Sequence, residues 1–143
     1  MLNKWTGTYR YDSEKIQRIV GHPYTRFTIE MELFENDTLK GTVQDDPDTG
    51  GMSGIGTISG EIHQGRIYFE KQMPVRSVIL DKQGNRKTTD EQHPVLFYEG
   101  KLTGENKYAG TWTFEKTWGF LFGFIPVKYC PGRGTWEMEL LVD

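Results

Sequence analysis

Hydrophobic and polar residues alternate with a period of two along most of the chain. In TRFTIEMELF (25–34), Phe27 and Ile29 alternate with charged and hydroxyl side chains. In TWEMELL (135–141), Trp136 likewise lies between a hydroxyl and a charged side chain. Successive residues of a β-strand point to opposite faces of the sheet. These segments are therefore predicted to be strands with one buried and one solvated face, a pattern that favours antiparallel pairing.

Turn sequences rich in Gly, Asp, Asn and Pro separate the alternating segments. The predicted strands are 5–12, 24–34, 39–45, 54–62, 66–72, about 75–81, 94–102, 107–116 and 134–142. Residues 12–20 hold at most a helical turn, and the assignment of 118–129 stays open. Many short strands with regular turns are typical of sandwiches and barrels. We predict one domain over 1–143, an all-β antiparallel up-and-down barrel of about 8–10 strands.

A Gly-Thr-apolar pattern recurs along the chain. Its copies begin at Gly7, Gly41, Gly56, Gly110 and Gly134. Residues i and i+2 of a strand share a face, so each glycine lies beside a large apolar residue while the threonine points outward. Glycine weakens a strand, so its repetition predicts tight strand coiling and room for neighbouring aromatic rings.

Composition and charge narrow the range of partners. The chain has 143 residues and a net charge of −3, with 17 basic and 20 acidic residues interspersed, so nucleic acid is not a predicted partner. The N-terminal stretch lacks the apolar core of a signal peptide, and no apolar run is long enough to span a membrane. A single cysteine excludes an internal disulfide. A cytoplasmic location is therefore expected.

The first predicted strand, WTGTYRYD (5–12), resembles the opening strand of the calycin barrels, the lipocalins and avidin-like proteins. Gly7 and Tyr9 are similar to the lipocalin Gly-x-Trp motif, with Tyr in place of Trp. Arg133 stands where a basic residue of lipocalins stacks on an opening-strand aromatic ring. The resemblance implies a closed barrel whose last strand pairs with its first, and a small ligand held inside. Tyr11 stands where avidin-type barrels have an asparagine, so biotin is not an implied ligand. The disulfide and the C-terminal helix of lipocalins are also absent.

The parity of each strand identifies the side chains that face the barrel interior. Most are apolar, Leu102 among them, and the polar exceptions are Tyr11, Asp45 and Lys71, with Tyr98 slightly deeper. Alternate strands of an up-and-down barrel finish at the same mouth, so these polar groups are predicted to form the rim of a partly open pocket with aromatic walls. The predicted ligand-binding residues are Tyr9, Tyr11, Asp45, Phe69, Lys71, Tyr98, Trp112 and Trp136.

These features predict non-catalytic binding of a small, partly apolar molecule, and two alternatives stay open. One is a filled barrel, with Asp45 and Lys71 as a plain rim salt bridge, that acts as an interaction module and self-associates through WGFLFGFIPV (118–127). The other is an isomerase-like or hydratase-like enzyme that uses Lys71 or a tyrosine as an acid–base group. Phosphate loops, nucleophile elbows and metal-binding cysteine pairs are missing, so no cofactor and no metal are predicted.

Overall fold

Eight strands close into one antiparallel barrel. The computed structural model describes residues 2–51, 54–74, 76–79, 86–89, 95–114, 117–121, 125–129 and 133–141. The strands are β1 (Leu2–Tyr11), β2 (Thr25–Leu33), β3 (Thr38–Asp45), β4 (Ile55–His63), β5 (Arg66–Gln72), β6 (Arg76–Ile79), β7 (Arg86–Thr89), β8 (Leu96–Gly104), β9 (Lys107–Phe114), β10 (Thr117–Leu121), β11 (Ile125–Tyr129) and β12 (Arg133–Leu140). The barrel order is β1-β12-β9-β8-β5-β4-β3-β2, with the last strand paired to the first. The predicted all-β up-and-down barrel is confirmed.

Two pairs of strands lie outside the barrel. β6 pairs with β7 and β10 pairs with β11, each as a separate two-stranded sheet. The strand predicted at about 75–81 is present as β6, but its predicted place in the barrel is wrong. The reason is register, because β8 occupies the edge of β5 from Arg66↔Lys101 to Lys71↔Leu96. The segment 118–129, whose assignment the sequence left open, holds most of β10 and all of β11. Cys130 and His93 lie outside the described residues.

The connections divide unequally between the two ends of the barrel. We call the upper end the one at which β1, β3, β5 and β9 finish. The long connections all lie there, at 12–24, 46–54, 73–95 and 115–132. The lower end has short turns, each with a residue in the left-handed region: Asp37, Gln64 and Asn106. Any opening of the barrel is consequently expected at the upper end.

One short helix, α1 (Glu14–Val20), follows β1 at the upper end. Ser13 caps it by accepting a hydrogen bond from the Ile16 amide, and Gly21 ends it in the left-handed conformation. Gln17 Nε2 donates to the Tyr11 carbonyl at 2.7 Å and anchors the helix to β1. None of the described helical segments is long and apolar enough to cross a membrane.

The repeated glycines lie where neighbouring strands approach most closely. A Cβ atom added to any of them would overlap a backbone carbonyl oxygen of the adjacent strand. At Gly134 that oxygen belongs to Arg10 of β1, and at Gly110 it belongs to Glu99 of β8. The pattern thus permits the tight coiling that closes a small barrel.

The interior is built from the side chains that strand parity selected. A cluster of buried aromatic and aliphatic residues runs through the barrel, including Phe27, Ile29 and Phe69. Leu102 is an exception, because it is 46% exposed where β8 reaches the lower end beside an irregularity in its pairing with β9. Its predicted inward position in the core is corrected accordingly.

Candidate functional site

The polar centre of the barrel is an ion pair between Asp45 and Lys71. Asp45 ends β3 and Lys71 lies near the end of β5, with β4 between them. Lys71 Nζ donates to Asp45 Oδ1 at 2.8 Å and to Oδ2 at 2.9 Å. The two strands thus bring together the pair that their parity and direction predicted.

This pair lies deeper than the sequence predicted. Asp45 is 1% exposed and Lys71 2% exposed, so they do not form the rim of an open pocket. The prediction of an open rim is corrected. The reason is the packing at the upper end, where Gly51 of the 46–51 loop lies against Asp45 and Met73 is fully buried beside Gly56 of β4.

Tyr9 completes the hydrogen bonding of the carboxylate. Its hydroxyl donates to Asp45 Oδ2 at 3.1 Å, and its ring lies 4.6 Å from Lys71 Nζ. Burial, and secondly the charge of Asp45, raise the pKa of Tyr9 well above its ordinary value. The hydroxyl therefore stays protonated and acts as a donor, and Asp45 accepts three hydrogen bonds from the described residues.

Aromatic rings surround the ion pair. Tyr98 is the centre of this wall: its ring centroid is 4.8 Å from that of Phe69, 5.6 Å from Trp136 and 6.4 Å from Trp112. Tyr11, which is partly buried, meets Trp112 edge-on at 5.0 Å. Through these contacts and the ion pair, all eight predicted site residues form one connected cluster.

Two tryptophans are fixed by a reciprocal arrangement of the Gly-Thr-Trp copies in β9 and β12. The register pairs Trp112 with Gly134 and Gly110 with Trp136. Trp112 Nε1 donates to the Thr135 carbonyl at 3.1 Å, and Trp136 Nε1 donates to the Thr111 carbonyl at 3.0 Å. Each indole also reaches a carbonyl of the next strand, Arg10 or Glu99.

These bonds give both indole N–H groups acceptors inside the barrel. Trp112 occupies the space that Gly134 leaves free, and Trp136 occupies the space beside Gly100 of β8, so glycines make room for both indoles. The two Gly-Thr-Trp copies can be read from the sequence, but the hydrogen bonds of their indoles depend on the register of β9 and β12.

Two buried donors, Trp5 Nε1 and the Tyr98 hydroxyl, lack a hydrogen-bond partner among the described residues. Of the two, Tyr98 belongs to the cluster around the ion pair, and it is only 1% exposed. Burial, with smaller effects of Asp45 and Tyr11, raises the pKa of Tyr98 well above its ordinary value, so it too is a protonated donor. An ammonium group has three N–H donors. Two of those of Lys71 bind Asp45, and no described residue accepts the third. An unpaired buried donor costs about 1–3 kcal/mol, which calls for an explanation.

Met73 and the 46–51 loop follow the upper ends of β5 and β3. Met73 is fully buried, and its sulfur occupies the space that a side chain on Gly56 would need. The loop is fixed to the start of β2, because Thr25 Oγ1 donates to the Thr49 carbonyl at 2.9 Å. The sequence reasoning missed Met73, although the period-two parity of β5 extends to it from Lys71.

Other chemical groups lie away from this cluster. His63 Nδ1 is 2.9 Å from Asp37 Oδ2 at the lower end, and both side chains are well exposed. Within the described part of the chain, no three His, Cys, Asp or Glu side chains are grouped as metal ligands. The side chain of Arg133 is mostly exposed, with Nε 4.0 Å from Asp12 Oδ2.

The geometry defines a class of protein, the antiparallel up-and-down β-barrel with a buried ion pair in an aromatic interior. No protein-family model matches the chain, and neither a curated protein nor a solved structure shows significant similarity to it. The evidence on function therefore comes from the residues of the site.

Proposed function

We propose that this protein is a calycin-like barrel that binds one small, partly apolar molecule among the eight clustered residues without transforming it. The observation that carries the proposal is the buried Tyr98 hydroxyl, which has no partner among the described residues. A donor maintained at that cost inside an aromatic interior is explained by a ligand that supplies the acceptor.

The surroundings of the donor support a binding site. Small-ligand sites are mostly apolar and carry a few convergent polar groups. Tyr98 and Lys71 are the polar groups in question here, and Lys71 Nζ lies 5.6 Å from the centroid of the Tyr98 ring. Phe69, Trp112 and Trp136 supply the apolar surface around them.

The hydrogen bonding favours binding over catalysis. An acid–base catalyst has to exchange its proton during the reaction. Lys71 holds two of its protons on Asp45, and the hydroxyl of Tyr9 is bound to the same carboxylate. Tyr98 is a protonated donor that suits the fixed recognition of a ligand.

In this proposal the ligand reaches the donors from the upper end by displacing Met73. This side chain is fully buried one residue after β5, where it continues the inward-facing series of Phe69 and Lys71. Methionine has an unbranched, flexible side chain that repacks readily. Met73 is therefore the movable group at this end, whereas several hydrogen bonds hold the 46–51 loop.

The close packing of the interior favours one other candidate, a filled barrel that acts through its surface. Phe69 and Leu39 are fully buried, as side chains that pack without a cavity would be. In that case the apolar segment 118–127 is the candidate surface for self-association. The two candidates differ in what accompanies the purified protein and in its mass.

Native mass spectrometry of gently purified wild type, Tyr98→Phe and Tyr68→Phe distinguishes them. Tyr68 is the matched control, because it is exposed and its hydroxyl donates outside the barrel to Glu70 Oε1 at 3.3 Å. We expect a stoichiometric added mass on wild type and Tyr68→Phe that is lost from Tyr98→Phe. Bare wild-type protein that forms dimers would support the filled barrel, and an added mass retained equally by all three proteins would contradict the proposed site.

A further inference from the structure

We infer that the ligand is electrically neutral and carries a hydrogen-bond acceptor oxygen, such as a carbonyl, that accepts from the Tyr98 hydroxyl and the third N–H of Lys71. This inference rests on the proposed function and specifies its ligand. It follows from the hydrogen-bond donors and the charge of the site.

The site holds two donors whose hydrogen bonds are not accepted by described residues. Both oxygens of Asp45 are engaged, Oδ1 by Lys71 and Oδ2 by Lys71 and Tyr9. The hydroxyl of Tyr98 and one N–H of Lys71 are left without described acceptors. A ligand oxygen with two lone pairs is the complement of two such donors.

The charge of the site is already balanced. In the described part of the chain, Asp45 and Lys71 are the charged residues that are buried, and their charges cancel. A carboxylate ligand would bring a second negative charge next to Asp45, and a cationic ligand would bring a second positive charge next to Lys71. Burying an uncompensated charge is far more costly than burying a hydrogen-bonded neutral group, so a neutral acceptor is favoured.

The rings around Tyr98 limit how a ligand can approach its hydroxyl. Phe69 lies nearly parallel to Tyr98 with the ring centroids 4.8 Å apart, and Trp112 lies nearly parallel to it at 6.4 Å. Neither gap admits a further ring, which would need about 7 Å between its two neighbours, so a ligand meets Tyr98 at the hydroxyl edge of its ring. The hydrogen bonds of the Trp112 indole hold its ring in place.

The test is an NMR titration of ¹⁵N-labelled protein with acetophenone, benzoate and ethylbenzene, which share a phenyl ring and differ in acceptor and charge. The indole N–H signals of Trp112 and Trp136 report binding, because both groups lie in the site wall and are hydrogen-bonded. We expect acetophenone to bind about tenfold more tightly than either ethylbenzene or benzoate, as one good hydrogen bond implies. In Tyr98→Phe the preference over ethylbenzene falls to about threefold or less, while Tyr68→Phe keeps it.

The outcomes separate the ligand class from the proposed function. Saturable binding of ethylbenzene as tight as that of acetophenone would overturn the acceptor inference and leave a binding barrel in place. Tighter binding of benzoate would overturn neutrality alone. Absence of saturable shifts with all three probes would count against the proposed function itself.

Discussion

Replacing Lys71 with methionine is expected to lower the free energy of unfolding by about 3–5 kcal/mol. The substitution leaves Asp45 as a buried carboxylate that keeps only the hydrogen bond from Tyr9. Asp45→Asn is expected to cost a similar amount, because it leaves the Lys71 ammonium buried without its counter-charge. Urea denaturation measures both free energies.

The double variant Lys71→Met/Asp45→Asn tests whether the two residues act as a pair. Its cost is expected to be smaller than the sum of the single costs by about 2 kcal/mol or more, because neither charge is then left alone. Lys107→Met is the control, since Lys107 pairs with Glu139 at 3.8 Å with both side chains well exposed. Breaking that pair is expected to cost less than about 1 kcal/mol. Additive costs at Asp45 and Lys71 would show that the buried pair does not act as a unit.

Gly134→Ala is expected to destabilise the barrel by about 3 kcal/mol or more, at or above the upper limit usual for overpacking. The added methyl group would overlap the Arg10 carbonyl and press on the Trp112 ring. The β1–β12 contact and the indole hydrogen bonds would have to shift together.

Gly104→Ala is the matched control for this substitution. Gly104 also lies in a barrel strand, but a methyl group there would meet only the side chain of Lys107, at 3.9 Å. We expect the free energy of unfolding to change by no more than about 0.5 kcal/mol. If both glycine variants unfolded at the same urea concentration, the close approach of β1 and β12 would not be what requires glycine at 134.

Local pattern was sufficient to predict the barrel and much of its interior. Period-two alternation identifies which face of each strand is buried, and alternating strand direction then places Asp45 and Lys71 at one end. The same parity selected Phe69, Tyr98 and Trp112, which the structure brings together. These predictions succeed because they depend on strand geometry and on no distant contact.

The missed features depend on how distant segments meet. The segment 75–81 has the composition of a strand, but β8 takes the place beside β5. The depth of the ion pair depends on the 46–51 loop, which packs against Asp45 only in the folded chain. The lack of a partner for the Tyr98 hydroxyl among the described residues is a property of the whole hydrogen-bond network, which no single strand reveals.

The most direct test of the account compares the unfolding free energies of wild type, Tyr98→Phe and Tyr9→Phe without added ligand. The two variants are expected to change the free energy of unfolding in opposite directions. Tyr98→Phe removes a buried donor without a described partner and is expected to stabilise the protein by about 1 kcal/mol or more. Tyr9→Phe removes a hydrogen bond to a carboxylate and is expected to destabilise it by about 1.5–3 kcal/mol. A Tyr98→Phe protein destabilised as much as Tyr9→Phe would show that the Tyr98 hydroxyl is paired within the fold, and would contradict a donor held for a ligand.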